Sequence, residues 1–263
     1  FTVQPATTPK GGGYATAAGG TEYFLNSFFT GSLENRIVLW ALSNTSSLAR
    51  PNPSLALTHT VLDTEVYGNP PASTQKPGPT PLADLLNAKL EFIDSDDDRM
   101  NQVVFAGGLL WSAVATPVKT PNGPTTTGAA WFAVAPSASG GAVAAQGYIS
   151  VARESVLYPA VGVNADGKAM AVFTVVGPHF FPAAAYAPID LSTGAGEVHI
   201  AAAGAGPDDG FTGYGGFRVA RWGDYSALVA DENGNLWMAT EFIPDAPRSV
   251  LANWGTFVSR IAP

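Results

Sequence analysis

An all-β fold, arranged as a β-propeller of about four visible blades, is what this sequence predicts, and three observations predict it. Glycine (29 residues) and proline (21) punctuate the whole 263-residue chain, so turns recur throughout. No stretch carries apolar residues at helical spacing, while short aromatic and β-branched runs follow one another between the turns. A local device also occurs twice: "AVGVNADGKAMAVF" and "ALVADENGNLWMAT" each place a small apolar strand, an Asp-Gly or Asn-Gly tight turn, and a second apolar strand in the same order. Repeating units of about 45–60 residues with their own hairpins are the mark of a propeller, whereas a sandwich would show similar strands without the repeat. Helix is expected to be scarce.

Residues 1–21 are small, polar and glycine-rich, and read as an extended N-terminal arm; blades are expected over 22–263. "EYFLNSFF" (22–29), "NRIVLWALSN" (35–44) and "LALTHTVLDT" (55–64) read as three strands of one antiparallel sheet. Proline every few positions over 66–87 allows neither strand nor helix for long, so a surface connection is expected there. "KLEFID" (89–94), "NQVVFAGGLLWSAVATPV" (101–118), "GAAWFAVAPS" (128–137) and "AVAAQGYISVA" (142–152) form a second group, with hairpin turns at "AGG" and "PNGP". The third group is 158–178 with 181–190 and 196–204. The fourth is 225–242 with "NWGTFVSRIA" (253–262), which is expected to pair with an N-terminal strand and close the ring, unless a partner supplies the missing blades. Residues 225–230 and 236–242 are expected to pair across Asn233-Gly234, and 159–164 with 168–176 across Asp166-Gly167.

With 46% apolar and 13% charged residues the chain has ample material for a core. A net charge of −8 with 13 dispersed Lys and Arg offers no basic stripe, which argues against nucleic acid as a partner. No cysteine is present, which removes disulfides, thiolate metal sites and cysteine nucleophiles. The longest apolar runs fall far short of the ~20 residues of a membrane helix, so no membrane span is expected. A start at Phe1 reads as a processed, secreted or cell-surface form, or as a fragment of something longer.

At "RIVLWALSNTSSL", "DSDDDRMNQVVFAGGLLWSAV", "YPAVGVNADGKAMAVFTVVGP", "GAGPDDGFTGY" and "RWGDYSALVADENGNLWMATEF…NWGT" the chain resembles a group of bacterial exported β-propeller proteins of unassigned activity, distantly sialidase-like. The resemblance runs from residue 22 onward. It implies that the chain corresponds to the C-terminal part of a larger propeller.

The densest polar stretches supply the candidate sites. In "RWGDYSALVADENGNLW" Arg221, Asp224 and Tyr225 are candidate ligand-binding residues, together with Arg99 and Arg36, which also precede predicted strands. The stretch is nonetheless expected to be mainly architectural, with Arg221, Trp222 and Asp224 a staple between blades and Arg221 and Asp224 substantially buried. Asp94, Asp96 and Asp98 in "DSDDDRMN" have the spacing of the first ligands of a calcium loop, but Arg99 stands where an EF-hand needs Gly and Phe105 where it needs Glu. Calcium is therefore the one cofactor to consider, against a solvated loop whose Arg99 turns inward. A sialidase-type site would need converging arginines with a Tyr–Glu pair and a separate acid, for which Tyr158, Tyr225, Glu154 and Glu241 are available. "ADENGNLW" matches that family's "S-x-D-x-G-x-x-W" only in part. His59, His179 and His199 lie in or beside apolar runs and are expected as hydrogen-bonded core residues, and the six tryptophans as mostly buried. No G-x-S-x-G, P-loop, H-E-x-x-H or dinucleotide fingerprint occurs.

The leading expectation is an exported binding or surface-structural module of unknown ligand, a carbohydrate being one candidate ligand class. The alternatives are a sialidase-like glycoside hydrolase and a subunit of an extracellular assembly built with a second polypeptide or with copies of itself.

Overall fold

A computed structural model describes residues 2–28, 31–87, 91–121, 123–210, 213–214, 218–246 and 252–262. In chain order the strands are β1 (Gln4–Thr7), β2 (Thr21–Ser27), β3 (Glu34–Ser43), β4 (Ala56–Tyr67), β5 (Ser73–Thr74), β6 (Phe92–Ile93), β7 (Val103–Ala106), β8 (Leu109–Lys119), β9 (Thr125–Ser137) and β10 (Gly140–Ile149). They continue with β11 (Ser155–Val163), β12 (Ala169–Val176), β13 (Ala183–Asp190), β14 (Gly194–Ala195), β15 (His199–Ala202), β16 (Gly213–Tyr214), β17 (Val219–Ala220), β18 (Ala227–Ala230), β19 (Leu236–Phe242) and β20 (Gly255–Ile261). One helix, α1 (Pro81–Leu86), interrupts the proline-rich connection. Its first turn is capped from far along the chain, where Asp209 accepts the Leu82 and Ala83 N–H groups at 3.2 and 2.8 Å. Strands carry 53% of the chain and helix 6%, so the all-β expectation holds.

The strands group into sheets of eight, five, four and three rather than into four sheets of four. This grouping lends no support to the four-blade ring. The eight-stranded sheet runs β10-β9-β8-β7-β1-β2-β3-β4, and β2, β3 and β4 are the antiparallel trio expected from the sequence. It curls until its two edges meet through side chains, Thr58 Oγ1 donating to the Ala138 carbonyl at 3.1 Å and Gln146 Oε1 accepting the Glu65 N–H at 2.9 Å. That barrel-like closure shields the edge strands from outside pairing. The N-terminal segment is the keystone: β1 pairs antiparallel with β2 through Gln4 and Pro5, then parallel with β7 through Ala6 and Thr7.

Three layers result. The interior of the curl holds Leu25, Ile37, Leu39, Tyr67, Phe132 and their neighbours. The outer face of β8 and β9, including Trp111 and Trp131, packs on one face of the five-stranded sheet around Phe173. The other face of that sheet packs on β18–β20 through Ala160, Met170, Val172, Leu228, Leu236 and Met238. β11 and β12 are therefore buried throughout their length, which is why they read as continuous apolar runs instead of alternating ones. At the closest approach a Cβ on Gly162 would lie 2.8 Å from the Leu228 carbonyl oxygen. Only glycine lets the two sheets meet there.

The repeated device is real, and its two copies touch. β11 pairs with β12 and β18 with β19, each antiparallel as expected. Each link is a type I turn followed by a left-handed glycine, not a two-residue turn: Gly167 and Gly234 have φ of +85° and +77°, and their N–H groups bond to Asn164 and Asp231 carbonyls. Asn164 and Asp231 each fold their side-chain oxygens over the turn N–H groups. Asn164 Nδ2 then donates to the Gly234 carbonyl at 3.0 Å, joining one turn to the other. The likeness between the copies thus marks two hairpins packed face to face. Among the described residues β20 pairs only with β19 and forms the edge of its sheet; closure of "NWGTFVSRIA" onto an N-terminal strand is corrected, because both edges of β1 are already taken.

Candidate functional site

β6 and β17 are parallel neighbours, with Phe92 opposite Val219 and Ile93 opposite Ala220. The Asp94 N–H extends the pairing to the Ala220 carbonyl at 2.8 Å. Parallel strands release their following loops at the same end, so "DSDDDR" (94–99) and "RWGDY" (221–225) emerge side by side. Two clusters more than 120 residues apart in sequence become one crest.

In the second loop Trp222 is the anchor. Its ring is fully buried among Ile93, Leu157, Tyr158, Val176, Ala220 and Ile243, and its indole N–H reaches the Thr174 hydroxyl at 3.4 Å. Gly223 follows with φ +64°; a Cβ there would stand 3.0 Å from the Tyr158 ring. Its N–H donates to Glu241 Oε2 at 2.8 Å. Asp224 has φ +147°, a region that favours glycine, and Tyr158 inside β11 has φ +51° at the bulge between Leu157 and Ala160. Strained non-glycine residues of this kind concentrate where the surroundings over-determine a loop, and functional sites are where such strain is retained.

Arg221 and Asp224 bond to each other at 2.6 Å, but their side chains are 56% and 47% exposed. The expectation that they form a buried staple is corrected: Trp222 points inward, and the charges flanking it face water. A surface pair of this kind contributes about 1 kcal/mol at most, so Asp224→Ala is expected to change stability little. Asp224→Gly loses the same pair but suits the backbone, and is expected to be more stable than Asp224→Ala by about 1 kcal/mol. Paired urea denaturation curves check this inversion of the usual glycine penalty.

In the first loop Arg99 also points outward. Its Nε bonds to Asp97 Oδ2 at 2.6 Å, and its Nη2 lies 3.6 Å from Asp96, itself at φ +60°. Asp97 above all, with smaller contributions from Asp96 and Tyr225, holds the Arg99 guanidinium more firmly protonated. Asp98 turns the other way. It is 1% exposed, its oxygens have no hydrogen-bond partner among the described residues beyond the residue's own N–H, and burial pushes its carboxyl up to about 6. Successive aspartates therefore face different directions, and among the described residues no three His, Asp or Glu side chains are placed to hold a metal ion. Arg36 stands apart from the crest, bound through two 2.8 Å hydrogen bonds to Glu34 and lying 5.1 Å over the Phe28 ring.

From the crest the solvent face of β18–β20 extends as a platform. Ser226 points inward to the Thr240 hydroxyl at 2.8 Å, so Tyr225, Ala227 and Val229 share the outer face by alternation. Ala227 sits opposite Ala239, itself opposite Val258; Val229 sits opposite Trp237, itself opposite Arg260. Tyr225 is 70% exposed and Trp237 41%. Trp237 is held rigidly, its indole N–H on Asp231 Oδ2 at 2.9 Å and the Arg260 guanidinium 5.9 Å over its ring. Glu241 borders the Tyr225 end, and burial raises its pKa, with Asp224 adding to the effect. At about 3.4 Å per residue, the two aromatics stand about 14 Å apart across an alanine floor.

Sequence reasoning named Arg221, Asp224, Tyr225 and Arg99, and the structure brings these four together. It missed Trp237, expected in the core; Trp254 is exposed as well, while Trp111, Trp131 and Trp222 are buried. The alternation of "NLWMATEF", with Leu236 and Met238 inward, was the signal available for Trp237. The histidines are also corrected to the surface: His59 packs on Trp40, His199 stacks on Tyr186, and His179 Nδ1 bonds at 2.6 Å to the buried Glu154. No family model, curated protein or solved structure matches the chain.

Proposed function

We propose that the chain is an exported carbohydrate-binding module that takes a neutral oligosaccharide along the outer face of β18–β20, from Tyr225 to Trp237. The observation carrying this reading is the pair of exposed aromatic rings, Tyr225 and the hydrogen-bonded Trp237, spaced along the outer face of β18 and β19 across Ala227 and Ala239. Sugar rings present apolar C–H faces that stack on Tyr and Trp while their hydroxyls seek planar polar groups at the rim. Arg221–Asp224 and Arg99–Asp97 are such groups, each internally charge-neutralised and oriented. Carboxylates outnumber arginines at the crest, with Asp94, Asp96, Asp97, Asp224 and Glu241 against Arg99 and Arg221. An acidic sugar would meet that field unfavourably, so the ligand is assigned as neutral.

Calorimetric titration with cellohexaose, xylohexaose and mannohexaose tests the reading. At least one is expected to bind, and Tyr225→Ala and Trp237→Ala are each expected to weaken it about ten-fold, about 1.4 kcal/mol. Binding that neither substitution affects, or no binding to any of the three, overturns it. One observation favours the hydrolase alternative, the raised Glu241 carboxyl beside Asp224. Release of reducing ends from the bound hexasaccharide, lost in Glu241→Gln, would replace the binding reading with that one.

A further inference from the structure

A second recess lies at the opposite end of the chain's sequence, where β1 changes partners. Pro5 is the last residue of β1 paired to β2, and Ala6 is the first paired to β7. The two halves of the curled sheet splay at that point, leaving a cleft of about 840 Å³, a volume in the range of small-molecule sites. Ala6, Tyr14, Tyr23, Leu42 and Phe105 give it an apolar lining, with threonine and serine hydroxyls at intervals and Glu22 as the one charged side chain. Glu22 accepts the Ala6 N–H, and burial raises its pKa above the ordinary carboxylate value. Among the described residues no lysine, arginine or histidine pairs with it.

The rim is built rather than left open by chance. Two segments, 17–20 and 44–47, are laced backbone to backbone by Asn44 N–H to the Ala18 carbonyl at 2.9 Å and Thr45 N–H to the Gly20 carbonyl at 3.1 Å. Ala18 and Asn44 take left-handed φ of +52° and +61° to achieve this, conformations that cost free energy in non-glycine residues. At Gly20 a Cβ would meet the Thr45 hydroxyl at 2.5 Å. Residues held this way keep the wall of the cleft in one shape.

We propose that this cleft binds a small organic ammonium ion, its apolar body against Tyr14, Leu42 and Leu48 and its charged nitrogen on the Glu22 carboxylate, which lies opposite Leu42 in the sheet register. A carboxylate in a mostly apolar recess gains most from a ligand that supplies both the missing cation and the apolar surface, and aromatic rings favour a cation over a neutral group. The proposal is independent of the saccharide platform.

Titration of the full chain with 2-phenylethylammonium and with its uncharged counterpart 2-phenylethanol tests it. The ammonium is expected to bind about ten-fold more tightly than the alcohol. Glu22→Gln is expected to bring the two within about two-fold of each other while leaving alcohol binding intact. Saturation transfer from the probe's ring protons to the Leu42 and Leu48 methyl groups of the unsubstituted protein locates the site without relying on any variant. A preference for the ammonium that survives Glu22→Gln, transfer to methyl groups elsewhere, or no binding of either probe at millimolar concentration overturns the proposal.

Discussion

Trp222→Ala is expected to lower the unfolding free energy by about 3–5 kcal/mol, as removal of a fully buried tryptophan does when the surrounding core cannot collapse into the space. The cost here lies toward the upper end for a structural reason. Trp222 is packed by residues from four separate regions, Ile93 after the proline-rich connection, Leu157 and Tyr158 on β11, Val176 on β12 and Ile243 after β19. No one of these can move in without pulling on a sheet. A urea midpoint that falls sharply with an unchanged slope would report lost stability within an intact fold. Because Trp222 is the buried side chain that anchors the 221–225 loop, oligosaccharide binding should weaken as well. Trp237→Ala removes an indole that is 41% exposed and should lower stability far less while weakening binding, so the two tryptophans separate anchoring from contact.

Asp98→Asn is expected to stabilise the protein at neutral pH. Burial holds the Asp98 carboxyl at about 6 in the folded chain, against about 3.9 unfolded. Between those values the folded state binds the proton that the unfolded state has released, so stability falls as pH rises through the window from about 4 to about 6 and levels off above it. That separation corresponds to about 3 kcal/mol. Asparagine removes the ionisation, so the difference in unfolding free energy between variant and parent should be near zero at pH 4 and grow to its full size by pH 7. Glu34, Asp190 and Asp231 are held at about 2 by hydrogen bonds, from Arg36, from Ser192 and Thr193, and from Trp237 and Asn235 respectively. They contribute stability that is lost only as pH falls below about 4, and they cancel in the comparison. A difference that does not vary with pH would show that the Asp98 carboxyl titrates alike in the folded and unfolded chain, against the upward shift that burial imposes.

The strands themselves were legible because their signals are local. Alternation and apolar runs located β2, β3, β4, β11, β12, β18 and β19 within a few residues, and the Asp-Gly and Asn-Gly turns fixed two hairpins. What joins the strands into sheets was not legible. The parallel pairings of β1 with β7 and of β6 with β17 link segments about 100 and 125 residues apart through contacts of two residues each, too short to leave a pattern in sequence. The repeat therefore suggested consecutive blades when its copies are two hairpins pressed together. The candidate site shows the same division. Arg221, Asp224 and Tyr225 stood out by composition, but the burial of Arg221 and Asp224 was misjudged because Trp222 between them takes the inward direction. Trp237 was placed in the core by its residue type, although its strand parity with Leu236 and Met238 pointed it outward.

A two-dimensional amide NMR titration of the unsubstituted chain with the tightest-binding of cellohexaose, xylohexaose and mannohexaose tests the assignment of the platform most directly. Shift changes are expected to concentrate at 221–229, 237–241 and 256–260, with the Trp237 indole N–H among the largest. Changes confined to the cleft near Glu22 or scattered without reference to β18–β20, or no change with any of the three sugars, would contradict it.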